Sequence, residues 1–130
     1  MSTDLKRDPI KYVRDKAKAN YKKGSECFIC GTRDNLDFHH FYTLTPLFNK
    51  WLKANKLSIN TEQDVLSVRD RFIDEHQAEL YDHTVTLCHE HHMQLHSVYG
   101  KDPPLHFAKK EMRWVNIQRE KHGLPPVSYT

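Results

Sequence analysis

The sequence predicts an α+β fold that is mainly helical, and three observations carry the prediction. Five stretches read as helices, four of them opened by a start signal and three carrying apolar residues at helical spacing. Two short stretches, LDFHHF and TVTLC, read as β-strands. Each of those strands adjoins cysteine or histidine clusters: CFICG before the first, LCHEHHMQLH running out of the second.

The elements follow in order. In DPIKYVRDKAKANYKKG, Asp8 is the expected N-cap, Pro9 sits at the first helical position and Gly24 is the expected stop. Ile10, Val13, Ala17 and Tyr21 form its apolar stripe. The Cys-x-x-Cys with Gly31 behind it reads as a tight metal-binding turn, and RDN as turn chemistry leading into the first strand. Thr45 and Pro46 open a short helix to about Leu57. Thr61 with Asp64 caps a longer one from Glu62 to about Leu80, with Val65, Val68 and Phe72 on one face beside Leu66, Ile73 and Leu80. After TVTLC, the run His89–Tyr99 is expected to be helical, with Gly100 as its stop. Asp102 then caps a last helix from Pro103–Pro104 to about His122, buried along Leu105, Ala108, Met112 and Val115. We therefore expect one domain over residues 1–130. It comprises a basic N-terminal helix (1–24), a core (25–100) with a helical insertion (45–82), and a C-terminal helix and tail (101–130).

Composition narrows the function. With 38% apolar and 28% charged residues, the core will be thin. No run is apolar enough to span a bilayer and nothing resembles a signal peptide, so a cytoplasmic, membrane-free protein is expected. Net charge is only +3, but it is unevenly placed. Residues 1–23 hold eight Lys/Arg against Asp4, Asp8 and Asp15, whereas residues 58–82 hold seven acids against Arg69 and Arg71. That asymmetry fits a polyanion binder with one working face, or a merely solvated surface.

Three cysteines and ten histidines point to metal. A structural zinc takes four ligands, usually as two closely spaced pairs. Cys27 and Cys30 supply one pair; Cys88 and His91, at the same x-x spacing, complete a Cys₃His set, with His89 a poorer substitute for His91. Such a site closes about sixty residues of chain, which matters for a thin core. His92 and His96 lie four apart on one helix face, about 5–6 Å apart at Cβ, and suit two ligands on one ion. His39 and His40 are strand neighbours pointing to opposite faces, so one can bind metal while the other serves a different role, such as general base.

LDFHHF followed by HTVTLCHEHHMQLH, with Cys27-x-x-Cys30 ahead, resembles the HNH endonucleases of the ββα-metal (His-Me finger) group, in particular the small zinc-containing members of bacteriophages and bacteria. The resemblance implies a ββα-metal core around one divalent ion. His39 and His92 would be its ligands, His96 a further ligand or a contact to the scissile phosphate, His40 the general base, and Asp37 a residue orienting a ligand from behind. Cys27, Cys30, Cys88 and His91 would hold a structural Zn²⁺. His83 falls where the motif has an asparagine that pins the general-base segment. It is expected to join His40 in the catalytic machinery by making that side-chain hydrogen bond to a backbone carbonyl, or else to add a ligand or reduce activity. The long stretch from Phe41 to Asp82 is a further departure. The implied reaction is hydrolysis of a DNA phosphodiester, by nicking or double-strand cleavage. Mg²⁺ or Mn²⁺ ranks ahead of Ni²⁺ or Zn²⁺ as the catalytic ion, although an all-imidazole shell favours the softer ions. DNA is the expected partner and, for a phage-encoded chain, the host cytoplasm the expected location; no protein partner is assigned. Phosphate contacts are expected from Lys11, Arg14, Lys18, Lys22 and Lys23, and from Lys109, Lys110, Arg113 and Arg119. His83 also keeps a second reading in view, a zinc-stabilised DNA-binding module without catalysis. The presence of all four of His39, His40, His92 and His96 argues against it.

Overall fold

The structure is a computed structural model describing residues 7–128. Mixed α/β and mostly helical, it contains among these residues one two-stranded sheet. In chain order the elements are α1 (Pro9–Lys18), β1 (Leu36–His40), α2 (Leu44–Ala54), α3 (Glu62–Glu75), β2 (Thr84–Cys88), α4 (His89–Tyr99) and α5 (Ala108–Lys121). They fall into two compact units.

The first unit holds the chain to Tyr21 together with Leu44–Asp82. Its core combines Tyr12, Val13 and Ala17 of α1 with an aromatic cluster of Phe48, Trp51 and Phe72. Trp51 is a packing residue here, with its indole N–H donating to Glu75. The capping box of α3 is present: Thr61 Oγ1 accepts from Asp64 N–H at 3.2 Å, and Asp64 Oδ2 accepts from Thr61 N–H at 3.0 Å.

Several boundaries differ from the sequence expectation. α1 stops at Lys18 and Asp8 makes no side-chain cap. Gly24 does not end it: its N–H donates to Thr86 Oγ1 at 2.7 Å, and a Cβ there would meet that oxygen at 3.3 Å. Thr45 lies inside α2, which begins one residue earlier. α3 ends at Glu75, and a π-helical turn, Ala78–Asp82, carries Leu80 back into the core. The last helix cannot start at Pro103, because a residue before proline is driven out of the α region. Pro104 is extended, a 3₁₀ turn spans Leu105–Phe107, and α5 begins only at Ala108.

The second unit holds Lys22–Thr43 and the chain from His83 onward. β1 and β2 pair antiparallel, with Asp37 opposite Leu87 and His39 opposite Val85. Strand alternation puts these four side chains on one face, and Phe38, His40, Thr84 and Thr86 on the other. α4 follows β2 without a linker, and its N-cap is Cys88. Leu87, Leu95, Met112 and Val115 join Ile29 and Phe41 in the core.

Candidate metal centres and active site

Two clusters of ligand-type side chains form in the second unit. The first is Cys27, Cys30, Cys88 and His91, whose ligand atoms all lie within 4.8 Å of one another. A tight turn builds the Cys27–Cys30 half. Gly31 N–H donates back to Cys27 O, Cys27 N–H to Thr32 O, and Gly31 has φ +76°, open to glycine at no steric cost. The other half is the first turn of α4, where the chain leaves β2. Cys30 Sγ lies 3.9 Å from Cys88 Sγ, and His91 Nδ1 is 3.2 Å from Cys88 Sγ and 3.8 Å from Cys27 Sγ. Zn–S bonds of 2.3 Å in a tetrahedron set S···S edges of about 3.8 Å, so the four residues fit such an ion. Electrostatics agree. Burial raises Cys27, but backbone N–H groups around Cys30, Cys88 and Ile29 outweigh it and bring the thiol below its usual value. Burial, with the charge of Cys27 adding to it, pushes Cys88 up to about 11. Two buried thiolates side by side repel, and a cation between them removes that penalty.

The second cluster is His39, His92 and His96. His92 Nε2 lies 3.2 Å from His39 Nδ1 and 3.0 Å from His96 Nε2. Each ring's other nitrogen faces an oxygen acceptor. His92 Nδ1 meets Asp37 Oδ2 at 3.0 Å, His96 Nδ1 meets Gly100 O at 2.7 Å, and His39 Nε2 meets Glu111 Oε1 at 2.8 Å. With those nitrogens donating outward, three lone pairs converge inward, an arrangement that is repulsive on its own and fits a single cation. Burial, with repulsion from His92, His96 and His40, holds His39 well below the usual histidine range. Burial likewise lowers His92, with Asp37 opposing. Neutral imidazoles are the ligating form.

The remaining candidates take up distinct places. Asp37 also accepts from His89 Nδ1 at 2.9 Å; its carboxyl is held below its usual value because these two donors outweigh burial. His89 thus turns to Asp37. His40 is half-buried at the end of β1, with its ring 5.1 Å from that of Phe38. His83 closes the end of the ladder through its backbone, accepting from Phe41 N–H, while its ring packs on Tyr42 and its Nδ1 is buried without a partner. Lys11, Arg14 and Lys18 are exposed on α1, and Lys109, Lys110 and Arg113 on α5. Lys22 and Lys23 are exposed too, with Lys23 Nζ bonded to Leu36 O. Arg119 differs from its expected role: its guanidinium bonds the carbonyls of Phe28 and Pro125 and stacks 4.0 Å over the Phe28 ring, clasping α5 to the cysteine turn.

Sequence reading missed Glu111. It is fully buried, and burial alone pushes its carboxyl up to about 8. The signal was present: Glu111 lies on the buried stripe of α5 with Ala108, Met112 and Val115, an acid where packing asks for an apolar residue.

A sheet-to-helix junction carrying a cysteine quartet and a converging histidine triad defines a small α/β protein built around metal-type ligand clusters. Its family is a matter of comparison: the model of the phage T5 nicking endonuclease family matches residues 1–125. The chain belongs to the nicking endonuclease family, a family of DNA-cleaving enzymes. No solved structure matches it. Among the described residues no helix is long and apolar enough to cross a membrane.

Proposed function

We propose that this nicking endonuclease is a metal-dependent HNH enzyme that hydrolyses a DNA phosphodiester at the His39–His92–His96 cluster. The observation that carries the reading is the convergence of three imidazole nitrogens, with the other nitrogen of each ring set against an oxygen acceptor. His39, His92 and His96 hold the ion, Mg²⁺ or Mn²⁺ in the first instance. When bound, the ion stabilises negative charge developing on the phosphate and the departing 3′ oxygen. His40 takes the proton from the attacking water, leaving 5′-phosphate and 3′-hydroxyl ends. His83 stands at the strand end that carries His40, and Asp37 holds His92 in its ligating tautomer. The cysteine quartet takes a structural Zn²⁺ and no part in the chemistry. Exposed Lys and Arg side chains of α1, α5 and residues 22–23 meet DNA phosphates.

Supercoiled plasmid tests this directly, incubated with the protein in EDTA, Mg²⁺, Mn²⁺, Ni²⁺ or Zn²⁺ beside a His40→Ala control. We expect metal-dependent conversion to open circles that falls about 10²–10⁴-fold in the control, the usual worth of a general base. Cleavage unchanged in EDTA, or in the control, overturns the reading.

A further inference from the structure

We infer that Glu111 is a positioning residue of the catalytic centre, selecting the nitrogen through which His39 binds metal; the inference rests on the function proposed above. His39 differs from its two companions. His92 and His96, from α4, turn Nε2 inward, whereas His39, from β1, turns Nδ1 inward and Nε2 outward. That outward nitrogen meets Glu111 Oε1 at 2.8 Å, in a place where Glu111 is fully buried and His39 4% exposed. Water does not compete there, so one protein oxygen decides which nitrogen carries the proton. Accepting Nε2–H at Oε1, Glu111 would leave Nδ1 of His39 free to ligate.

A packing role does not account for this side chain. Glu111 sits in the apolar stripe of α5 with its second oxygen, Oε2, buried and unbonded, a cost that Leu or Met at that position would avoid. A cation held at His39 Nδ1 would supply the charge that offsets it. The residue also brings α5 into the centre, so that the C-terminal helix supports a site otherwise built from β1 and α4.

The test is Mn²⁺ binding to the full-length metal-depleted protein, followed by the electron paramagnetic resonance of free Mn²⁺, with melting temperature recorded alongside. Glu111→Leu removes the acceptor; Glu111→Gln keeps an amide oxygen without the charge and guards against a folding defect. We expect Glu111→Leu to weaken Mn²⁺ binding about 10–100-fold with the melting temperature of the metal-free protein unchanged or raised, and Glu111→Gln to recover part of the loss. In the Zn²⁺-loaded wild type, ¹⁵N-resolved spectra should show His39 protonated at Nε2. Wild-type affinity in both variants overturns the inference. His92→Ala separates the two readings. If it weakens binding and the Glu111 variants do not, only the role of Glu111 falls. If it also binds as the wild type does, the three-histidine site falls, and the inference with it.

Discussion

Asp37 holds one carboxylate oxygen against two histidines, and they are not equivalent. His92 belongs to the three-histidine cluster and is largely buried, whereas the His89 side chain is 63% exposed and outside it. Removing the acceptor frees the His92 ring to rotate and to take the wrong tautomer. Asp37→Ala should therefore weaken Mn²⁺ binding about 10–100-fold, while His89→Ala changes it only within a few-fold. Isothermal titration of both variants checks the pair, and equal effects would contradict the ordering. Asp37 was legible in the sequence because strand parity sets it on the face of His39. Glu111 was legible only as an acid on the apolar stripe of α5; its partner was not, since His39 lies 72 residues away and only the packing of α5 brings them together. Adjacent histidines were separable by the same parity rule. The place of His83 was legible too, but that its backbone rather than its Nδ1 bonds at the strand end is visible only in three dimensions.

At the scale of elements, the legible starts were those written in local chemistry, and the illegible ends were those set by distant contacts. Thr61 and Asp64 specify the start of α3 within four residues, and the structure forms that capping box. Thr61→Ala should cost about 1 kcal/mol in denaturant unfolding. Asp64 adds a pH dependence. Backbone N–H groups of Asn60 and Thr61 hold its carboxyl below its ordinary value of 3.8. The cap's contribution is therefore complete above that ordinary value and fades as pH falls through the lower native one. Asp64→Asn should flatten this part of the acid-stability profile. α2 ends differently. Lys56 sits at φ +55°, left-handed, so that Leu57 N–H can reach Leu52 O. A glycine is the usual residue at such a stop, and Lys56→Gly should raise stability by up to about 1 kcal/mol. Neither the early end of α1 nor the late start of α5 could be placed from capping residues. Gly24 serves a close approach to Thr86, and the Pro103–Pro104 pair delays the helix it had seemed to begin.

For the molecule as a whole, the two clusters are chemically unlike, and this predicts that they lose metal separately. Three sulfurs and one nitrogen form a soft set that would favour Zn²⁺, whereas three imidazoles would hold a divalent ion more weakly. The cysteine quartet also joins the turn at Cys27–Cys30 to the β2–α4 junction, 58 residues apart between Cys30 and Cys88. The binding free energy of a zinc held there would be folding free energy for the second unit. Structural zinc sites are worth about 10–16 kcal/mol in small domains, comparable with the about 5–15 kcal/mol by which whole domains are stable. Brief dialysis against EDTA should accordingly abolish plasmid nicking, leave about one zinc per chain and preserve the circular dichroism spectrum, with Mn²⁺ restoring activity. A thiol-reactive mercurial should instead release the zinc and unfold the second unit, and Cys30→Ser or Cys88→Ser should lower the melting temperature even with Mn²⁺ in excess. Simultaneous loss of zinc, structure and activity in mild EDTA would mean that a single site does both jobs. The converse outcome, full activity after the mercurial has released the zinc, would show that the second unit holds β1 and α4 in register without it.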